Sequence, residues 1–306
     1  MAVNKKTIQR RIKSVKNTRK ITKAMELVAA AKMKRATEAV TRSRPYVKYL
    51  RELVKEIAMR TDISKHPLLR QKLDTDRVLF VLIMSDRGLA GGYNVQMERA
   101  TRAFKESRSD STVIDVITMG KRAGHSAKRL GLNIIESYND VTAEPKAEMM
   151  WPVVKTIIEG YTTHVYDEIY IGYTDFRSAL TQVPTIMSLL PFGVNEPDLG
   201  SVGERLMDDH EVASPDTVTN APEFTFEPDE MTVLDKILPR IIESEAYQAL
   251  LESSASEHSA RMMAMRSASD AAGDMINSLT LTYNQARQAS ITQEIAEISS
   301  GKAALE

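Results

Sequence analysis

Two very long helical patterns, one at each end of the chain, constrain the fold more than any other feature. Mostly apolar residues recur every three or four positions from Ile8 to Ile57, and a second series with the same spacing runs from Ile242 to Ala289. At about 1.5 Å of rise per residue, some 55 residues make a helix roughly 80 Å long, which is longer than a compact domain is wide. We therefore expect the two helices to bury their series against each other as an antiparallel coiled coil. Pro45 should kink or end the first helix nearby.

The second series consists mostly of small residues, which let two helix axes approach closely. Towards its end it runs through Ala264, Ala268, Ala271 and Met275. This helix is the longer of the two, so its last turns should have no intrachain partner, and an exposed apolar strip of this kind indicates a partner surface. The apolar residues of those turns are Ile291, Ile295 and Ile298.

The segment between the two helical patterns alternates strand and helix patterns. The first strand is "RVLFVLIM" and the first helix is "NVQMERATRAFKE". Such alternation predicts a Rossmann-like α/β domain with an open, largely parallel sheet at about 75–192. Residues 195–235 contain twelve acidic residues and one arginine, which predicts a connector at 193–229. The chain therefore divides into an N-terminal helix (1–60), the α/β domain, the connector and a C-terminal helix (230–306).

A glycine-rich stretch, "SDRGLAGGYN", follows the first buried strand and raises the question of nucleotide binding. Its glycines, Gly88, Gly91 and Gly92, do not fit G-x-G-x-x-G, and no Gly-Lys-Ser/Thr follows them. We interpret the stretch as a turn that packs a helix against a strand.

The composition argues against a catalytic or metal-binding site on this chain. It has no cysteine, and its five histidines form no close pair with ligand spacing. No nucleophile motif such as G-x-S-x-G occurs. We therefore expect no catalytic residue, cofactor site or metal site here.

Positive charge is concentrated at the N-terminus. Residues 1–72 contain 21 Lys and Arg against 5 Asp and Glu, although the net charge of the whole chain is zero. Two partners suit such a surface, a nucleic acid or an acidic protein surface, and many single charges on a long helix are simply solvated. The basic segment has no aromatic residue before Tyr46, whereas nucleic-acid modules usually contain them.

Three long motifs resemble one family. They are "IKSVKNTRKITKAMELVAAAKMKRA" (12–36), "ASEHSARMMAMRSASDAAGDMI" (255–276) and "YNQARQASITQEIAEISSGKAAL" (283–305). Together with "SDRGLAGGYN", they are similar to the gamma subunit of the F-type ATP synthase, of the bacterial type. The resemblance spans nearly the whole chain in the same order.

This resemblance implies a central rotor shaft that transmits torque in a proton-translocating enzyme. In the family, the paired terminal helices enter a hexamer of alpha and beta subunits, which holds the nucleotides. The α/β domain lies outside the hexamer, with the epsilon subunit, against the membrane ring of c subunits. The chain would then be a non-catalytic subunit, and the alternative is a basic coiled-coil nucleic-acid-binding protein.

The resemblance also implies the residues that contact partners. Met25 and Lys23 would face the acidic moving lever of beta, and Glu257 and Arg261 match positions proposed to couple rotation to catalysis. The residues expected to form polar contacts with beta loops near the tip are Arg287, Gln288, Thr292 and Glu294.

The expected location is the cytoplasmic face of a bacterial plasma membrane, where the chain is peripheral through its complex. No apolar run approaches the roughly 20 residues of a membrane-spanning helix, and the basic N-terminus does not have the pattern of a signal peptide.

Overall fold

A computed structural model describes residues 5–60, 66–69, 76–109, 111–191, 227 and 229–303. The acidic connector expected at 193–229 therefore lies outside the described residues, apart from Glu227 and Asp229. In chain order the helices and strands are α1 (Lys5–Arg60), β1 (Arg77–Ile83), α2 (Tyr93–Glu106), β2 (Val113–Met119), α3 (Lys121–Arg129), β3 (Asn133–Tyr138), α4 (Trp151–Thr162), β4 (Glu168–Phe176), β5 (Gln182–Leu190) and α5 (Glu230–Ala303). Short 3₁₀ turns occur at Pro67–Leu69 and Ala147–Met150.

The five strands form one sheet in the order β3-β2-β1-β4-β5. Strands β3, β2, β1 and β4 are parallel, and β5 pairs antiparallel with β4. In β1 and β2 every residue after the first is buried, as expected for strands covered on both faces. The predicted fold class, an α/β sheet domain flanked by long terminal helices, is confirmed.

Alternation along β1 assigns its two faces to different helices. Val78, Phe80 and Leu82 belong to one core cluster together with Met97 of α2 and Ala123 of α3. The alternate residues of the same strand belong to a second cluster with α1, α4 and α5, and they are Leu79, Val81 and Ile83. The sheet therefore packs one of its faces directly against the C-terminal helix.

The helix α1 continues through Pro45, and the helix end that we expected near this residue does not occur. The proline ring removes one backbone N–H donor from the helix and crowds the preceding turn. The buried neighbours Val40 and Val47, on either side of the proline, hold α1 in place. Burial of these side chains offsets the local penalty.

The chain forms two compact units. One comprises Met1–Ala30 and Arg261–Glu306, and the other comprises Ala31–Ala260. We call them the terminal unit and the sheet unit. The four-segment division made from the sequence follows secondary structure and remains a proposal.

In the sheet unit, α1 and α5 run antiparallel. Ala36 and Val40 of α1 form a small core with Leu251 and Ala255 of α5. Further along α1, Ser43 donates a hydrogen bond to the side-chain oxygen of Gln248, which lies earlier on α5. Residues later on α1 therefore contact residues earlier on α5, as in any antiparallel pair of helices.

The terminal unit shows the same antiparallel pairing. The hydroxyls of Thr22 and Ser269 are hydrogen-bonded at 2.7 Å. Gly273 lies beside the guanidinium of Arg19, which would be 3.4 Å from a Cβ at that position. A residue earlier on α1 thus meets a residue later on α5.

At Ala271 and Met275 the predicted series on α5 is wrong by one residue. Ala271 is exposed and Met275 is 53% exposed, whereas Ala272 is buried. The buried residues of α5 here are Met265, Ser269 and Ala272, and the half-buried residues that continue this row are Ile276, Leu279, Tyr283 and Ala286. Two adjacent rows of residues on α5 have the same spacing of three and four positions. The row with Ala272 faces α1, and the row with Ala271 does not.

Among the described residues, no helix combines the length and the apolar character needed to cross a membrane.

Candidate functional site

The glycine-rich stretch lies at the carboxyl end of β1, where doubly wound sheets usually bind ligands. In such sheets the ligand crevice opens where the strand order changes direction, and here that point lies between β1 and β4. The stretch leads from β1 into Tyr93, the first residue of α2. Geometry alone therefore leaves a nucleotide site possible at this edge.

Serines of α5 occupy that crevice. The Ser253 hydroxyl accepts hydrogen bonds from the backbone N–H of Thr174, at 3.1 Å, and from the hydroxyl of Tyr93, at 3.3 Å. The Ser256 hydroxyl donates to the Thr174 carbonyl at 3.1 Å. Ser254 donates to a carbonyl in the loop after β3 at 2.8 Å. All three serines are buried, so the protein's own helix fills the position of a ligand.

Close packing accounts for a glycine in the neighbouring loop at this edge. Gly120, between β2 and α3, has a φ of +94°, and a Cβ there would collide with the carbonyl of Met84. Beside it, the Asp86 carboxylate accepts hydrogen bonds from the backbone N–H of Lys121 at 3.0 Å and of Asp140 at 2.9 Å. The stretch therefore ties three loops together, which supports the interpretation of a structural turn.

A basic groove of about 980 Å³ lies in the terminal unit. Of the described residues that line it, Asp270 is the only acid. The cations that line it are Lys6, Arg10, Lys13, Lys16, Arg19, Lys20 and Lys23. Because like charges are concentrated there, the groove attracts an anionic surface.

Exposed apolar residues lie beside the predicted contact residues of α1. Met25 is half-buried, and Lys23 is exposed and paired with Glu26 at 3.0 Å. The sequence analysis missed the exposed apolar neighbours, which are Ile21, Leu27 and Val28, at 61%, 62% and 59% exposure. The sequence could have indicated this surface, since these three large apolar residues lie outside the apolar series expected to be buried on α1.

The predicted tip residues share a surface with the unpaired isoleucines. Ile291, Ile295 and Ile298 are 48%, 62% and 73% exposed, as expected for helix turns that no other described part of the chain covers. The predicted polar contacts Arg287 and Glu294 are also exposed. Since residues three and four apart share a helix face, Arg287, Ile291, Glu294 and Ile298 form one row. Gln288 and Thr292, exposed as well, form the adjacent row with Ile295.

The other two predicted contacts are less accessible. Glu257 is only 3% exposed and lies inside the sheet unit, and Arg261 is half-buried in the terminal unit. Their roles in coupling stay predictions. A side chain buried as fully as Glu257 would act through its neighbours instead of touching a partner directly.

Comparison with known proteins identifies the chain. The family model described as ATP synthase matches residues 4–305. The gamma chain of Pelotomaculum thermopropionicum ATP synthase is 41% identical over 299 residues, covering 98% of both chains. The chain belongs to the ATP synthase gamma chain family. The gamma chain of Herpetosiphon aurantiacus is similar at 42% identity over 306 residues, covering 97% of both chains.

Solved structures share the fold of this gamma chain. A chain of the Euglena gracilis mitochondrial ATP synthase, from its OSCP/F1/c-ring structure, aligns with a TM-score of 0.63 at 18% identity, covering 98% of this chain and 94% of that one. A chain of the Tetrahymena thermophila central stalk/c-ring structure aligns with a TM-score of 0.56 at 22% identity, covering 81% and 99%.

The family assignment decides between the two functions considered from the sequence. This chain is a gamma chain, a subunit of the ATP synthase complex and peripheral to the membrane. The relatives named above are all ATP synthase chains, so the nucleic-acid alternative has no support.

Proposed function

We propose that this gamma chain is the central rotor shaft of a proton-translocating F-type ATP synthase. It would transmit torque between the membrane c-ring and the catalytic sites of an alpha/beta hexamer. The observation that carries the proposal is the exposed apolar end of α5, where Ile291, Ile295 and Ile298 have no cover from the described chain. An apolar strip on a long helix is costly in water, and a sleeve of surrounding subunits would remove that cost.

Two surfaces would make the contacts that matter for coupling. The basic groove, which Lys23 lines, together with Met25 two residues further along α1, suits an acidic moving segment of beta. The tip rows that contain Arg287, Glu294 and Thr292 suit polar loops of beta. A rotor shifts a conformational equilibrium only through contacts that differ between the states. Moving a subunit from 1:99 to 99:1 requires about 5.5 kcal/mol of such difference.

We also propose that no catalytic residue lies on this chain. The filled crevice at Ser253 supports this, because a nucleotide would need the space that α5 occupies. ATP would bind in the hexamer instead. The epsilon subunit and the c-ring are the partners proposed for the sheet unit, at the cytoplasmic face of a bacterial plasma membrane.

Coexpression with alpha and beta subunits tests the proposal. The complete complex, in vesicles, should pump protons on ATP addition. Replacing Ile295 and Ile298 together by Asp should lower pumping per complex at least about tenfold, because charge is expensive in an apolar sleeve. The matched control replaces both by Val, which keeps the surface apolar, and it should pump as the wild type does. Full coupling in a complex without this chain, or in the Asp variant, would refute the rotor assignment.

A further inference from the structure

Two carboxyl groups are buried where α5 passes the carboxyl end of β4. The side chain of Glu252, on α5, is fully buried, and that of Asp175, on β4, is 7% exposed. Both residues lie in the sheet unit. Ionised carboxylates at such depth need hydrogen-bond donors or cations, since burial without them is costly.

The donors around Glu252 satisfy only one of its oxygens. Its Oε1 accepts hydrogen bonds from the amide of Gln248 at 2.8 Å and from Arg44 of α1 at 3.4 Å. Its Oε2 is buried, and no donor among the described residues reaches it. The neighbouring residues of the two elements are in contact, since the Thr174 N–H donates to the Ser253 hydroxyl at 3.1 Å, and the Asp175 carboxyl is a hydrogen-bond neighbour of Glu252. Two deprotonated carboxylates cannot donate to each other, so this contact requires a proton.

The cations nearby compensate only part of the charge. Arg44 approaches Glu252 from α1, and Arg177, which follows β4, approaches Asp175 at 3.4 Å. Both guanidinium groups are partly solvated, with side chains 28% and 40% exposed. The helix α5 itself adds the neutral amide of Gln248. The charged groups that face the pair thus come from α1 and from the end of β4.

We propose that Glu252 and Asp175 form a buried site that binds one proton, shared between the two carboxyl groups, and that this proton fastens α5 to β4. With the proton in place, one carboxyl donates a hydrogen bond to the other, and the buried pair carries one negative charge instead of two. Without it, two negative charges repel each other inside the sheet unit. The site then favours separation of the helix from the strand.

The proton exchanges near neutral pH. Burial raises the pKa of Glu252 from 4.5 to about 7, and the charge of Asp175 acts in the same direction, while the hydrogen bond from Gln248 and the charge of Arg44 oppose them. The folded pKa exceeds the unfolded value. The stabilisation is therefore complete below about pH 4.5 and is lost as the pH rises to about 7.

Urea unfolding of the full chain between pH 5 and 8.5 tests the site. For a one-proton linkage, the unfolding equilibrium constant should rise by up to about tenfold per pH unit below pH 7. Glu252→Gln should remove that part of the slope. Asp175→Asn should also reduce it, because an amide can donate to ionised Glu252. The matched control, Glu38→Gln, changes a glutamate of α1 whose side chain is 55% exposed and should keep the wild-type slope. Equal slopes in all four proteins would overturn the proposal.

A measurement on the unmodified chain decides the question even if a variant fails to fold. Infrared difference spectra between pH 6 and 8.5 should show loss of a protonated carboxyl band and gain of a carboxylate band. The amplitude should correspond to about one carboxyl group, as expected for a single shared proton. Absence of any protonated carboxyl at pH 6 would exclude the site.

Discussion

The serines that fill the crevice permit a quantitative test of the contact between α5 and the sheet. Ser253→Ala removes the oxygen that accepts the backbone N–H of Thr174 and the hydroxyl of Tyr93. Both contacts are buried, so water cannot replace the lost acceptor. A buried donor left without its partner costs about 1–3 kcal/mol. We therefore expect Ser253→Ala to lower the free energy of unfolding by about 1–3 kcal/mol.

The control lies on the same helix. The Ser244 hydroxyl donates to the carbonyl of Arg240 at 2.7 Å in an exposed position. Ser244→Ala removes a hydroxyl of the same kind from a place that water reaches, so the change should stay within about 0.5 kcal/mol. Urea titrations of the full chain, monitored by far-ultraviolet circular dichroism, measure both values. If the two variants lost the same stability, the serine contacts would not hold α5 in the crevice.

Three further predictions concern packing and charge. Ala272→Phe should lower the free energy of unfolding by about 1–3 kcal/mol through overpacking. The control, Ala271→Phe, changes an exposed position and should be nearly neutral. If thermal unfolding showed Ala271→Phe to be the less stable variant, the observed helix register would be contradicted. Gly172→Ala would place a methyl group 2.6 Å from a core aromatic ring and should lower the free energy of unfolding by about 1–3 kcal/mol. The control in the same denaturation assay is Gly92→Ala, whose methyl group would lie 3.4 Å from a flexible side chain. The raised pKa of Glu252, about 7 against 4.5, corresponds to about 3 kcal/mol of stability lost between pH 4.5 and 8; an unfolding free energy that rises with pH over this interval contradicts that sign.

The centre of the sheet was predictable because β1 and β2 are covered on both faces. Runs such as Val78–Met84 are apolar without interruption, and such runs, alternating with amphipathic helices, specify a parallel sheet. The tip of α5 was predictable for a related reason. Ile291, Ile295 and Ile298 continue an apolar series beyond the reach of the first helix, so their exposure followed from the lengths of the two helices.

The register of α5 and the buried polar cluster were not predictable from the pattern. Ala271 and Ala272 have the same side chain, and only contact with α1 distinguishes them. Glu252 is polar and occupies a helix, where periodicity normally places a carboxylate in solvent. However, residues 245–259 are buried on almost every side of the helix, because a sheet and a second helix enclose it. Amphipathic periodicity describes a helix with one buried face and therefore does not apply here. Tertiary packing sets the environment of Glu252.

The serine-filled crevice has a consequence for inhibitor design. In most doubly wound domains the carboxyl edge of the sheet is the first place to look for a small-molecule site. Here a compound would first have to displace part of a continuous 74-residue helix and break the contacts of Ser253, Ser254 and Ser256. Compounds directed at this chain should therefore be screened against surfaces that none of its described segments covers, such as the basic groove of the terminal unit.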